Sequence, residues 1–249
     1  MNPVLAFQGL NAWYGMAQVL FEVDLTVNRG EVVALMGRNG AGKSTLLKAV
    51  MGLIERRQMH LVLFGQPVGL LAPYRMARLG VGYVPQDRRI FTDLTVMENL
   101  LVAQRPRHYW PDGAAGPVWD PERLFDLFPN LAQRRDHRAS QMSGGEQQML
   151  SVARTLMGNP LVLLLDEPSE GVAPVIVDQM QAMVITLKAQ GVSLLLSEQN
   201  LGFAQTVSDR AYLLEQGHVR FEGAMSELSA QTGLCERYLG VSMTLSPPA

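Results

Sequence analysis

A single cysteine, Cys235, stands in 249 residues, so no disulfide can close within the chain and the composition suits a reducing compartment. Cys235 lies in a helical pattern near the C-terminus and is expected to pack. Long apolar runs are also missing. Residues 161–165 and 192–196 have the length of buried strands, well short of the roughly 18 residues that cross a membrane. The opening Met1-Asn2-Pro3-Val4 lacks the basic and apolar regions of a signal peptide. The chain is therefore expected to be neither secreted nor inserted, and to reach a membrane only through a protein partner. No charge of one sign dominates: 21 Lys and Arg face 23 Asp and Glu, a net charge of −2, which gives no case for a nucleic-acid partner. The short basic clusters Arg56-Arg57, Arg88-Arg89 and Arg134-Arg135 are expected to be solvated faces.

What is present is globular, with 47% hydrophobic and 18% charged residues. The length suits one large α/β domain, or a core domain with a subdomain inserted in it. Residues 1–30 look like β-structure ending in the turn Asn28-Arg29-Gly30. A mostly apolar strand over 31–36 runs into a glycine loop, and a helix over 44–51 stops at Gly52. Short strands fit 61–64 and 81–84.

From about 90 to 158 the pattern becomes mostly helical. Thr95-Val96-Met97-Glu98 is a capping-box pattern opening a helix to about Gln104. The proline- and glycine-rich stretch 105–121, with Trp110 and Trp119, reads as an irregular surface loop. Helical stretches fit 122–128, 131–138 and about 146–157. The α/β rhythm then returns. Strands fit 161–165 and 192–196, Pro174 suits the first turn of a helix between them, and 212–214 with 219–221 form a hairpin around Gln216-Gly217. Residues 246–249 read as a frayed tail.

Three motifs carry chemistry. Gly37-Arg38-Asn39-Gly40-Ala41-Gly42-Lys43-Ser44 is a complete G-x-x-x-x-G-K-S between a strand and a helix, with Thr45 following in the helix. Glycines let the backbone wrap phosphates, and N–H groups converge there with the helix N-terminus. Lys43 would reach the β- and γ-phosphates, and the Ser44 hydroxyl would ligate Mg²⁺. The second motif is the apolar strand ending in Asp166-Glu167. Asp166 would hold Mg²⁺ through water, and Glu167 would orient or deprotonate the attacking water. The third is Ser143-Gly144-Gly145-Glu146-Gln147-Gln148 at the head of a helix. Alone it reads as an N-cap with flexible glycines. Beside the other two it suggests a second phosphate-binding element, serving a different nucleotide across a dimer.

In this order and spacing the motifs resemble the ATP-binding cassette family over nearly the whole chain, and Ser143-Gly144-Gly145-Glu146-Gln147 matches the family signature. The resemblance implies a P-loop NTPase α/β fold: a mainly parallel central sheet, an N-terminal antiparallel β portion and an inserted helical subdomain, all in one ATPase domain. It implies ATP and Mg²⁺ as cofactors, held by Gly37, Asn39, Gly40, Ala41, Gly42, Lys43, Ser44 and Thr45, with Tyr14 stacking on adenine. Gln86 would reach Mg²⁺ and face the membrane partner. Ser143, Gly144 and Gly145 would close over the nucleotide of a second ATP-binding subunit, in a homodimer or heterodimer.

Transmembrane permease subunits, and indirectly a periplasmic binding protein, are the implied partners, placing the chain at the cytoplasmic face of the inner membrane. Two positions depart from the family pattern. Ala173 stands where many members have an aspartate, and Gln199 where most have a γ-phosphate-sensing histidine. Asp166 to Pro174, Glu198-Gln199-Asn200 and Ser143 to Leu150 resemble one of the two ATPases of branched-chain amino-acid importers, with urea and short-amide importers related. The chain stops soon after its last helical pattern, near Leu239, so the extra C-terminal domain of some sugar and methionine importers is not expected.

Other readings are a non-transport cassette ATPase acting on nucleic acid or ribosomes, a P-loop kinase or GTPase, and a non-hydrolysing regulatory module. The first lacks the usual second cassette or coiled-coil insertion. The second leaves Ser143-Gly144-Gly145 unexplained.

Overall fold

The computed structural model describes residues 3–57 and 60–240. Strands β1 (Leu5–Tyr14) and β2 (Ala17–Val27) form an antiparallel hairpin, and β3 (Val32–Met36) leads into the glycine loop and helix α1 (Lys43–Met51). Strands β4 (Glu55–Arg57) and β5 (His60–Leu63) add to β1, and β6 (Gln66–Pro67) adds to β5, completing an antiparallel sheet. After α2 (Pro73–Arg78) comes β7 (Val81–Val84). Four helices follow: α3 (Val96–Ala103), α4 (Pro121–Leu127), α5 (Pro129–Gln133) and α6 (Gly144–Leu156). Then come β8 (Val162–Asp166), α7 (Pro174–Ala189), β9 (Ser193–Glu198), α8 (Leu201–Val207), β10 (Arg210–Glu215), β11 (His218–Ala224), α9 (Met225–Ala230) and α10 (Thr232–Leu239).

The second sheet has the order β11-β10-β3-β9-β8-β7, parallel throughout except for the β10–β11 hairpin. The expected fold class is met: a mainly parallel central sheet, an antiparallel N-terminal portion, and helices inserted between the neighbouring strands β7 and β8. The apolar runs have a direct cause. Side chains alternate across a strand, and here both faces are covered. Ala34, Met36, Leu163, Leu165, Leu194 and Leu196 enter the core beneath α6 and α7. Val33, Leu35, Val162, Leu164 and Leu195 enter the opposite core with α1 and the β1–β2 hairpin. The middle of each of these strands is therefore an unbroken apolar run, the mark of a strand buried on both faces.

Four expectations are corrected. The stretch 105–121 is irregular but is not merely surface: Trp110 and Trp119 are only 4% and 3% exposed. Trp110 packs edge-on to Phe64 and under the Arg29 guanidinium, while Trp119 joins the other core. Asn159 fastens the stretch, accepting from Trp119 N at 2.7 Å and donating to Arg105 O at 2.6 Å. Proline and glycine content reports backbone shape, not depth.

Arg56 is likewise no solvated charge. Buried, it donates to Ala49 O, to Val50 O at 2.7 Å and to Leu71 O at 3.0 Å. It thereby satisfies carbonyls left over at the C-terminal end of α1, and burial lowers its pKa.

The expected helix 131–138 ends at Gln133. Beyond it, His137 O and Arg135 O accept from Val96 N (3.1 Å) and Met97 N (2.9 Å), two donors that the first turn of α3 cannot satisfy itself. Finally, β9 runs two residues past the expected end, because Ser197 pairs in register with Asp166. The Thr95–Glu98 capping box forms as read, and Cys235 is fully buried. The tail 246–249 lies outside the described residues.

Candidate functional site

Strand β3 delivers residues 37–42 to the C-terminal edge of the parallel sheet. Gly37 has φ of +155° and Gly42 +109°. A Cβ at Gly37 would sit 2.5 Å from the Leu214 backbone O, so glycine is required there on steric grounds, and the positive φ favours glycine at both positions. The loop is braced from behind by the β10–β11 turn, where Gly217 N donates to Ala41 O at 2.9 Å. Helix α1 begins at Lys43 with Gly42 as N-cap and no side-chain cap. Glycine at the N-cap leaves the N–H groups of the first turn without a side-chain acceptor, an arrangement suited to an anion. Lys43, 4% exposed, donates to Gly37 O at 2.8 Å and to Arg38 O at 3.2 Å, and pairs with Glu167 Oε1 at 2.8 Å.

The carboxylates end β8, one strand beyond β9 from the loop. Asp166 Oδ1 accepts from Ser44 Oγ at 2.8 Å and from Ser197 Oγ at 2.7 Å, while Oδ2 accepts from the Tyr83 hydroxyl at 3.2 Å. Burial, then the Asp166 charge, raises the Tyr83 pKa, so Tyr83 stays a neutral donor. A hydroxyl and a carboxylate converging in this way supply hard oxygen donors of the kind Mg²⁺ takes. Glu167 has φ of +48°, a left-handed conformation that non-glycine residues seldom adopt. It is held there by its N–H, which donates to both Ser197 O (3.1 Å) and Ser197 Oγ (3.0 Å).

The side chain of Glu167 has three neighbours besides Lys43. Gln199 Nε2 donates to Glu167 Oε1 at 3.3 Å and to Asn39 Oδ1 at 2.7 Å. Gln86 Nε2 donates to Glu167 Oε2 at 3.3 Å and to Glu170 Oε2 at 2.5 Å. Burial pushes the Glu167 carboxyl up, but hydrogen bonds with Glu170, Lys43 and Gln199 and the Lys43 charge hold it below its ordinary value. Glu170 moves the opposite way: its hydrogen bond to Glu167, burial and the neighbouring charge all raise it. Of the two, Glu170 is the more readily protonated.

The structure thus brings together Asn39, Lys43, Ser44, Gln86, Asp166, Glu167 and Gln199. Gln86 lies against Glu167 and Glu170 and makes no hydrogen bond to the Ser44–Asp166 pair. Ser143, Gly144 and Gly145 take no part in this network. Ser143 Oγ accepts from Glu146 N at 3.3 Å and Glu146 Oε2 accepts from Ser143 N at 2.8 Å, a closed capping box at the start of α6. Gly144 faces the Arg88 guanidinium and Gly145 faces Ile176. Tyr14 ends β1, 47% exposed, with no hydrogen bond to the loop among the described residues. Ala173 is the N-cap of α7 and provides no capping bond.

Sequence reasoning missed Tyr83, Glu170, Ser197 and Glu198. Ser197 and Glu198 precede Gln199, and their only signal was that adjacency. Buried at 2% exposure, Glu198 accepts from Ser169 N at 3.0 Å, Gln199 N at 3.1 Å and Asn200 N at 3.2 Å.

Comparison with known proteins identifies the family. Residues 20–170 match the family described as ABC transporter. The chain is 38% identical to the high-affinity branched-chain amino acid transport ATP-binding protein BraG of Pseudomonas aeruginosa, over 95% of this chain and 100% of that one. It is 33% identical to the lipopolysaccharide export system ATP-binding protein LptB of Haemophilus influenzae, over 97% and 99%. A solved structure described as the ADP conformation of an ATP-binding cassette of an ABC transporter superposes with a TM-score of 0.77, covering 95% of this chain and 98% of that one at 24% identity. The loop, the paired carboxylates and the whole-length likeness together place this chain in the ABC transporter family as an ATP-binding, ATP-hydrolysing subunit.

Proposed function

We propose that this chain is the ATPase of an importer for amino acids, branched-chain ones foremost, working at the cytoplasmic face of the inner membrane. The observation that carries the reading is the 38% identity with BraG across that protein's entire length. Urea or short-amide uptake is the neighbouring alternative within the same subfamily. The LptB likeness, at 33% over 97% of the chain, supports a second reading in which the same ATPase drives export. Reconstitution with its permease subunits, followed by uptake of labelled leucine, isoleucine and valine into vesicles, decides between them. Uptake that needs ATP and a periplasmic binding protein supports import; ATP hydrolysis stimulated by an envelope lipid instead supports export.

In this reading the chain acts as one ATPase domain with a helical insertion at about 90–158. Its phosphate loop, from Gly37 through Thr45, would cradle ATP, Tyr14 would stack on adenine, and Ser44, Asp166 and Gln86 would hold Mg²⁺. Bound Mg²⁺ would neutralise phosphate charge. Glu167 takes the proton of the attacking water, and Gln199, already beside Glu167, positions the γ-phosphate. Ser143, Gly144 and Gly145 complete the site of a second ATP-binding subunit.

Glutamine keeps a donor through its amide but cannot titrate. Gln199→Ala is therefore expected to lose one hydrogen bond to a charged group, about 1.5–3 kcal/mol, or roughly ten- to a hundredfold in turnover. Gln199→His is expected to stay active. Both are measured as ATPase rates in the assembled complex, and parental turnover in Gln199→Ala would make Gln199 a bystander.

The permease would dock beside Gln86. A groove of about 1060 Å³ opens there, lined in part by Leu53, Tyr74, Tyr83, Arg89, Arg105 and Arg154. Phe91 is 50% exposed at its margin, 5.0 Å from the Arg154 guanidinium. The Arg89 and Arg88 carbonyls accept from Arg154 Nη2 and Ser151 Oγ, both at 2.6 Å, so this loop is tied to the helix that Ser143 caps. Phe91→Ala combined with Arg89→Ala is expected to weaken co-purification with the permease and to cut transport several-fold more than basal ATPase activity. Equal assembly and transport in the double variant would remove the docking assignment.

A further inference from the structure

We propose that Glu198 is a positioning residue for hydrolysis: its buried carboxylate ties the segment that follows Glu167 to the segment that carries Gln199. This rests on the reading of Glu167 as base and Gln199 as its partner at the γ-phosphate.

The end of β9 braces the end of β8 residue by residue. Ser197 Oγ donates to Asp166 Oδ1 at 2.7 Å and accepts from Glu167 N at 3.0 Å. Glu198 Oε1 accepts from Ser169 N at 3.0 Å, two residues past Glu167. Gln199 Nε2 returns to Glu167 Oε1 at 3.3 Å. The other oxygen of Glu198, Oε2, accepts from Gln199 N at 3.1 Å and Asn200 N at 3.2 Å. One carboxylate therefore holds backbone on both sides of the Glu167–Gln199 contact, one oxygen to each side.

The residue type follows from the donor count. Three N–H groups converge on a side chain 2% exposed, and no cation pairs with it among the described residues. An ionised carboxylate accepts at both oxygens, whereas a glutamine accepts at one and presents NH₂ at the other. Glu198→Gln must therefore set donor against donor at Ser169 or at Gln199 and Asn200, releasing one of the two segments. If Glu198 merely terminated β9, the two donors on its own segment would be partners enough; the bond to Ser169 joins a different element. The Glu198 side chain bonds to Ser169, Gln199 and Asn200 rather than to the phosphate loop, and its backbone pairs with Met36, just before that loop, so the proposal places its effect on kcat rather than on nucleotide affinity.

The test uses the full-length chain. Glu198→Gln is expected to lower kcat by about tenfold or more, the factor that about 1.4 kcal/mol of barrier represents. Its Kd for a non-hydrolysable ATP analogue should stay within about twofold of the parent. Glu198→Asp, which keeps two acceptor oxygens on a shorter arm, is expected to recover part of the rate and carries the same test if the glutamine variant does not fold. Adding either substitution to Gln199→Ala should cost less than about twofold further, because the relation being positioned is already lost. Parental kcat in both Glu198 variants, an analogue affinity that falls in step with kcat, or losses that multiply with Gln199→Ala would each overturn the proposal. A Glu167→Gln variant at full activity would instead remove the reading beneath it. With Glu167→Gln inactive and both Glu198 variants at the parental rate, only the Glu198 assignment fails.

Discussion

Glu167→Gln is expected to reduce ATP turnover by about 10²-fold or more, the scale of a lost general base, while ATP binds at least as tightly as in the parent. The first half follows from chemistry. Glutamine has the shape and hydrogen-bonding reach of glutamate but cannot take a proton from water. The second half follows from the Lys43–Glu167 pair, 2.8 Å apart with side chains only 3% and 5% exposed. In this structure the ammonium that should meet the phosphates is engaged by the carboxylate that should meet the water. Nucleotide must draw Lys43 away, and separating a buried pair is costly unless a new partner replaces the old. The glutamine variant holds Lys43 by a neutral acceptor only, so the competition weakens. Turnover under saturating MgATP and Kd from nucleotide titration check the two halves separately. Turnover near the parental rate would move the base elsewhere, and a weakened Kd would mean that the Lys43–Glu167 pair does not compete with ATP.

The same pair gives the site an order of events. Lys43 is among the groups that hold the Glu167 carboxyl below its ordinary value. Once Lys43 turns to the phosphates that restraint is lifted, while Gln199 and Gln86 remain in reach of the carboxylate at 3.3 Å each. The contact with Glu167 raises the Glu170 carboxyl above its ordinary value. In the proposed mechanism, Lys43 would thereby link the proton affinity of Glu167 to occupancy of the loop.

The parts of this site visible in the sequence are those whose chemistry is local. Gly37 through Ser44 declare themselves because the loop needs glycine where φ is positive and, at Gly37, a Cβ would strike the Leu214 backbone, and because Lys43 and Ser44 must follow at fixed positions. Asp166 and Glu167 stand out as charges ending an apolar run. The fold was legible for a similar reason: β3, residues 162–165 of β8 and residues 194–196 of β9 are unbroken apolar runs, and a sheet covered on both faces asks for that.

The rest depends on register between distant segments. Ser197 reaches Asp166 because β9 runs beside β8 with those residues paired, and the sequence carries no mark of which serine lies opposite which aspartate. Arg56 read as a surface charge because nothing nearby in the chain shows that the C-terminal carbonyls of α1 lie above it. Trp110 and Trp119 were hidden by the prolines and glycines around them.

Lys43→Ala and Ser143→Arg are expected to fail in different ways, and the difference tests whether the working site is shared between two chains. Lys43→Ala removes a direct phosphate contact. Nucleotide affinity of the isolated subunit should fall by roughly ten- to a hundredfold, the worth of a hydrogen bond to a charged group. It also leaves Glu167 buried without its cation, so the nucleotide-free variant should melt at a lower temperature than the parent.

Ser143 touches nothing in the loop of its own chain; its hydroxyl and N–H are committed to Glu146. Ser143→Arg should therefore leave monomer affinity within about twofold of the parent and abolish ATP-dependent dimerisation and hydrolysis, since bulk and charge are placed where a second subunit's phosphates would lie. Losing the cap itself costs about 1 kcal/mol. Ser143→Ala, which loses the cap without adding bulk, separates that effect from the steric one by retaining dimerisation. Nucleotide titration of the subunit, light scattering with and without ATP, and steady-state hydrolysis read the three properties. If Ser143→Arg weakens monomer affinity as much as Lys43→Ala does, Ser143 acts within its own chain and the site is not composite.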